Sequence, residues 1–203
     1  PNDWWIVADI DEFHLYNDHP RRIAGDCEAN GWDLVRGGFV DRIGMDGEFP
    51  RIRRNEDIFS QFPLAGFFRY SLSDACPNKV CLMKGYVEIT SGQHYAKIDG
   101  YTTWKCQGWN HPLIAPVEKY SVQVHHFKWD STCIERIKEV ADIDQPWAYS
   151  HEYWTMYDAI RVFGWKIDIC NPEFKVEKLN NFSYIDYMDY SKWNLLRDKI
   201  VTI

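Results

Sequence analysis

The chain opens with an unbroken apolar run, Trp4-Trp5-Ile6-Val7-Ala8, that drives into Asp9-Ile10-Asp11-Glu12 and then Phe13. Trp, Ile and Val favour a pleated, buried surface, so the run predicts a buried strand. The acids fall at its C-terminal end, where open α/β sheets place their ligands. Residues two apart on a strand share a face, which directs Asp9 and Asp11 the same way and Glu12 the other.

Further along, Pro20 near the start and Gly31 just past the end predict a helix from His19-Pro20 to Asn30-Gly31. Residues 33–40 read as a strand broken by the flexible pair Gly37-Gly38. Residues 41–48 read as a polar loop with turn chemistry. Residues 59–68 are apolar but carry Pro63 and Gly66, which predicts an irregular buried segment. Residues 79–83 and 86–89 flank Lys84-Gly85 as a hairpin, and a further strand-like stretch follows Gly92-Gln93-His94. Residues 99–119 carry two glycines and two prolines and read as a long loop, a kind of segment that is often functional. The alternation from Ser121 to Trp129 predicts a central strand. Thr132-Cys133-Ile134-Glu135 has the form of a capping box and predicts a helix to Ala141. A second amphipathic helix is predicted from Ser150 to Phe163, ended by Gly164. Short helices and a docked tail are expected over the last forty residues.

Strands and helices in this order predict an α/β fold, expected as a single domain over residues 1–203. The abrupt opening on a strand suggests a segment of something longer. A net charge of −7 argues against a nucleic-acid partner. No apolar run reaches transmembrane length. The six cysteines are irregularly spaced and lack a C-x-x-C pair. Cys76 and Cys81 bracket a turn, but reduced, buried thiols in a cytoplasmic protein are the favoured state.

Two carboxylates on one face repel unless a cation, a proton or a basic group lies between them, and a hard divalent ion meets that need. Asp9 and Asp11 are therefore the candidate diphosphate and metal residues. Imidazoles beside carboxylates suit Mn²⁺ or a similar ion, and His94 and one of the pair His125-His126 are the candidates. Lys128 shares a face with His126 and is placed to neutralise a phosphate, or else to pair with Asp130. Trp104 and Trp109, in the long loop, are candidates for an acceptor platform or for lid packing.

Asp9-Ile10-Asp11-Glu12-Phe13, with Gly92-Gln93-His94 and His125-His126-Phe127-Lys128-Trp129 downstream, resembles the family-two-like GT-A glycosyltransferases, in which the first motif reads D-x-D-E-F and a later one H-H-F-K or similar. The resemblance runs to about residue 141. It implies a GT-A-like mixed sheet flanked by helices, with the part that normally precedes the acids and cradles the base missing, hence a truncated version. It implies transfer of a sugar from a nucleotide-sugar donor to a glycan or other hydroxyl acceptor, assisted by Mn²⁺ or Mg²⁺. Asp9 and Asp11 take the D-x-D roles and His126 the late histidine. The base that takes the acceptor proton in an inverting reaction stays open among Glu12, Asp41, Asp46 and Glu48. A non-catalytic carbohydrate-binding module and a metal-dependent hydrolase are the alternatives.

Overall fold

The computed structural model describes residues 3–73, 75–98, 101, 102, 111–120, 122–143, 150–174 and 176–178. Trp104, Trp109, Cys106 and the tail beyond residue 178 lie outside the described residues. In chain order the elements are β1 (Trp4–Ile6), β2 (Glu12–Tyr16), α1 (Pro20–Asn30), β3 (Leu34–Ile43), α2 (Ile58–Gln61), β4 (Leu64–Gly66), α3 (Arg69–Ser73) and β5 (Asn78–Lys84). They continue with β6 (Glu88–Ile89), β7 (Ala96–Ile98), β8 (Tyr101–Thr102), β9 (Val122–His126), α4 (Cys133–Ala141), α5 (Ser150–Val162) and β10 (Glu177–Lys178). The fold is mixed α/β. Its described residues group into two compact units, the first from the chain up to Phe39 with residues 76–124, the second from residues 40–75 with residues 125–178.

In the first unit β5 lies between β1 and β3, antiparallel to both. β9 pairs with β2 and with β3, and β6, β7 and β8 form a separate antiparallel sheet. Ile23, Ala24 and Cys27 of α1 pack on Val35, Phe39, Cys81 and Leu82 of the sheet. A neighbouring cluster joins Leu34, Val80, Met83, Val87, Ala96 and Ile114. In the second unit β4 pairs antiparallel with residues 41–43 of β3 and with β10. Its core gathers around Trp129, with Cys133 and Ile137 of α4 and Met156 and Ile160 of α5.

The helices follow their local signals. Gly31 adopts φ 73° and closes α1 with its N–H on the carbonyls of Cys27 and Glu28. Gly164, at φ 79°, follows α5. α4 starts one residue past Thr132, but the expected capping box is not formed: the Thr132 amide and hydroxyl both donate to Asp130 Oδ1, at 2.9 and 2.7 Å.

Several strand expectations are corrected. The run 4–13 is not one buried strand. β1 ends at Ile6, Trp5 and Ile6 are more than half exposed, and Ile10 is fully exposed. A turn at residues 9–12 intervenes, closed by the Glu12 amide donating to the Asp9 carbonyl at 3.2 Å. Because β1 runs antiparallel to its neighbour, the rule that places ligands at the ends of parallel strands does not apply to it. β3 is continuous through Gly37-Gly38. Glycine is required at Gly37 by proximity rather than flexibility, since a Cβ there would meet the Val122 carbonyl oxygen at 2.4 Å and Cys81 Sγ at 2.7 Å. Residues 41–43, expected in a polar loop, are buried in β3. β5 and β6 do not pair as a hairpin, because the chain leaves one sheet after Lys84 and enters another at Glu88. Residues 59–68, expected to be irregular, carry all but the first residue of α2 and the whole of β4.

Candidate functional site

The 9–12 turn presents Asp9 and Glu12 to Lys79, which lies on β5 with a side chain only 1% exposed. Lys79 Nζ donates to Asp9 Oδ2 at 2.8 Å and to the Gly92 carbonyl at 3.0 Å. It is also 2.8 Å from Glu12 Oε1. An ammonium has three protons, and these three acceptors match them. Asp9 and Glu12, expected on opposite faces, thus converge on one cation. The alternation of side chains ceases to apply once the strand ends at Ile6 and the backbone turns.

Glu12 is buried and fully engaged. Its Oε2 accepts from the Asp9 amide at 3.2 Å and lies 3.3 Å from His14 Nε2. Asp9 differs, because 45% of its side chain is exposed. Its second oxygen, Oδ1, accepts from Gln93 Nε2 at 2.8 Å. Asp11 is half-buried beside it in sequence.

The 92–94 turn is unusual. Gly92 has φ 73°, and Gln93 has φ 58°, a conformation an L-residue adopts only at some cost. The Gln93 side-chain oxygen is buried and has no hydrogen-bond partner among the described residues. His94 has Nδ1 2.8 Å from the Asn78 carbonyl. A carbonyl can only accept, so Nδ1 carries the proton and the ring's lone pair is on Nε2. A histidine held this way by a backbone carbonyl is oriented as metal-ligating histidines are.

Among the described residues no three His, Cys, Asp or Glu side chains are grouped to hold an ion. An ion carried by a diphosphate asks less of the protein, because Mg²⁺-like ions keep several waters and take one or two carboxylates plus substrate phosphate. Lys79 bridges the Asp9 and Glu12 carboxylates at 2.8 Å each, and of the two only Asp9 reaches solvent.

The other expected residues belong to the second unit. Asp41 is 1% exposed and accepts from the Trp129 indole at 2.8 Å and from the Arg69 amide at 3.1 Å. His126 Nδ1 is 3.4 Å from its Oδ1. Asp41 is thereby an interior acceptor that orders its neighbours, not an exposed loop acid. Lys128 donates to the Tyr153 hydroxyl at 3.2 Å and sits over that ring at 4.6 Å. Burial, and then Arg69, lower its pKa below the usual lysine value. The alternative pairing with Asp130 is not made, since Asp130 pairs with Arg136. His125 is buried, and burial followed by Arg42 brings its pKa down to about 3. Arg42 is itself fully buried against Phe59 and Phe127, and its Nε and both terminal nitrogens lack hydrogen-bond partners among the described residues.

Sequence reasoning missed Lys79 and gave Gln93 no role. A signal for Lys79 was present: a lone lysine leading the apolar run Val80-Cys81-Leu82-Met83 needs a buried anion. The five described cysteines are free thiols, four of them buried. No described helix is long and apolar enough to cross a membrane. No protein-family model, curated protein or solved structure matches the chain.

Proposed function

We propose that the chain is the acid-bearing part of a GT-A-like glycosyltransferase that moves a sugar from a nucleotide-sugar donor to a hydroxyl acceptor with the help of Mn²⁺ or Mg²⁺. The observation that carries this reading is the meeting of two of the three motifs behind the family resemblance. Gln93 and Asp9, 84 residues apart in sequence, are hydrogen-bonded at 2.8 Å, and Lys79 clamps both turns.

In this reading Asp9 and Asp11 hold the ion, and His94, on the turn that follows Gly92, is the candidate imidazole. The ion, when bound, stabilises the negative charge that develops on the departing diphosphate. Lys79 and Gln93 keep Asp9 in one orientation, so the carboxylate needs no rearrangement when the donor arrives. Glu12 serves as the internal partner of Lys79, and Asp41 as an organiser of the second unit around Trp129 and His126. A reducing, cytoplasmic setting suits the free thiols.

Thermal unfolding of the full chain with UDP, GDP, CDP and ADP, each with and without MnCl₂, tests the reading. A ligand that binds only the native state raises the unfolding temperature. The expected result is a rise with one nucleotide that requires the ion. No rise with any nucleotide in the presence of Mn²⁺ or Mg²⁺ counts against it.

A further inference from the structure

Three oxygens surround Lys79 Nζ: Asp9 Oδ2 at 2.8 Å, Glu12 Oε1 at 2.8 Å and the Gly92 carbonyl at 3.0 Å. Two carboxylates and a carbonyl directed at one point are a hard-cation donor set. The chain fills that point with its own ammonium. The side chains of Lys79 and Glu12 are each only 1% exposed, so the ammonium is inside the protein and not a surface lysine in passing contact.

We infer that Lys79 is a permanent internal counter-ion that keeps divalent cations off the bare acid corner. The inference rests on the proposed function for what happens next: the exchangeable ion enters on the exposed side of Asp9 together with an anionic diphosphate.

The electrostatics give the direction. A divalent ion approaching Asp9 alone meets a fixed positive charge 2.8 Å from one oxygen of that carboxylate. A diphosphate brings enough negative charge to offset that repulsion. Lys79 has already committed its three protons, so it acts on the incoming pair as a local field and not as a hydrogen-bond donor. Removing the ammonium has two effects of the same sign. It deletes the repulsion, and it leaves Asp9, Glu12 and the Gly92 carbonyl around a vacated position. Lys79→Ala therefore turns an ion-excluding corner into an ion-binding one.

The test is titration of the full chain with MnCl₂ alone, followed by the paramagnetic resonance signal of free Mn²⁺, for wild type, Lys79→Ala, Lys79→Gln and Lys79→Arg. Circular dichroism reports folding of each. Lys79→Gln retains amide donors for Glu12 and Asp9 and serves if the alanine variant does not fold. The neutral variants are expected to bind Mn²⁺ at least about tenfold more tightly than wild type, and Lys79→Arg to exclude it as wild type does. Equal Mn²⁺ affinity in wild type and a folded neutral variant overturns the inference. Repeating the wild-type titration with UDP or GDP judges the proposed function separately: nucleotide that never promotes Mn²⁺ binding removes that reading, while the comparison of variants without nucleotide still decides the role of Lys79.

Discussion

Gln93 donates its side-chain amide to Asp9 from a backbone conformation that glutamine rarely adopts, with φ at 58° and Nε2 2.8 Å from Oδ1. A left-handed conformation costs an L-residue about 1 kcal/mol, and a hydrogen bond to a charged group returns about 1.5–3 kcal/mol. The two effects can be separated. Gln93→Ala loses the bond and keeps the strain, whereas Gln93→Gly loses both. Urea unfolding is expected to find the alanine variant less stable than the glycine variant by about 1 kcal/mol. Equal stabilities would mean that the turn carries no strain.

Lys79 and Glu12 form a buried pair, each side chain 1% exposed. Breaking such a pair by removing one partner costs about 3–5 kcal/mol, because the other charge is left buried and uncompensated. Lys79→Met is expected to lose stability on that scale. The double variant Lys79→Met with Glu12→Gln removes both charges and should recover most of the loss. A double-mutant cycle in urea measures the coupling. Additive losses would show that the pair is not a unit.

His125 titrates in the unfolded chain near the usual histidine value, about 6.5, but burial and then Arg42 bring its folded pKa down to about 3. Between those values the unfolded state binds a proton that the native state does not. Stability therefore rises with pH across this window and falls as the solution is acidified from about 6.5 towards 3, by up to about 1.4 kcal/mol per pH unit from this group. His125→Asn cannot take up the proton and should show a shallower slope in denaturant unfolding between pH 6.5 and 4.

Arg42 is fully buried, and its three guanidinium nitrogens lack hydrogen-bond partners among the described residues. Its contacts with Phe59 and Phe127, 5.4 and 5.7 Å to the ring centroids, recover only part of the desolvation cost. Burial pushes its pKa down to about 10. Arg42→Met keeps the length and apolar stem while removing the charge. It is expected to stabilise the chain by about 1–3 kcal/mol in urea unfolding. A loss of stability would show that the cation is worth its burial.

Gly37 has no room for a side chain. A Cβ would press on a backbone oxygen at 2.4 Å, and a backbone atom cannot swing aside as a flexible side chain can. Gly37→Ala should destabilise by about 1–3 kcal/mol through overpacking, whereas Gly25→Ala, on helix α1 with nothing within 4 Å of the added atom, should be neutral or stabilising. Thermal unfolding of the two variants side by side checks the contrast.

The helices were legible because their signals are local. Pro20 and Gly31 bracket α1, and Gly164 follows α5, each acting within a turn of the element it bounds. The opening stretch was misjudged because hydropathy reports burial in general and not which apolar residues achieve it. Trp4 packs against the core, while Trp5, Ile6 and Ile10 remain exposed. The acids of the candidate site could be named from the sequence, but their partners could not. Lys79 lies 70 residues from Asp9 and Gln93 lies 84 residues away, and no periodicity connects them. Asp41 was misread for a related reason: the glycine pair before it suggested an interruption, whereas β3 continues through the pair and carries Asp41 into the interior.

The clamp at Lys79 also constrains the order in which the chain can organise itself. The carboxylates of Asp9 and Glu12 come from a turn far before it in sequence, 70 residues away at Asp9, whereas the Gly92 carbonyl lies only 13 residues after it, so the bonds to the acids cannot form until the long intervening segment has been drawn into place. Closing loops of this length is entropically unfavourable before the contacts they enable are made. Completion of the acid corner therefore waits on that long closure, and Asp9 and Glu12 lack their internal ammonium until β5 has been brought to them.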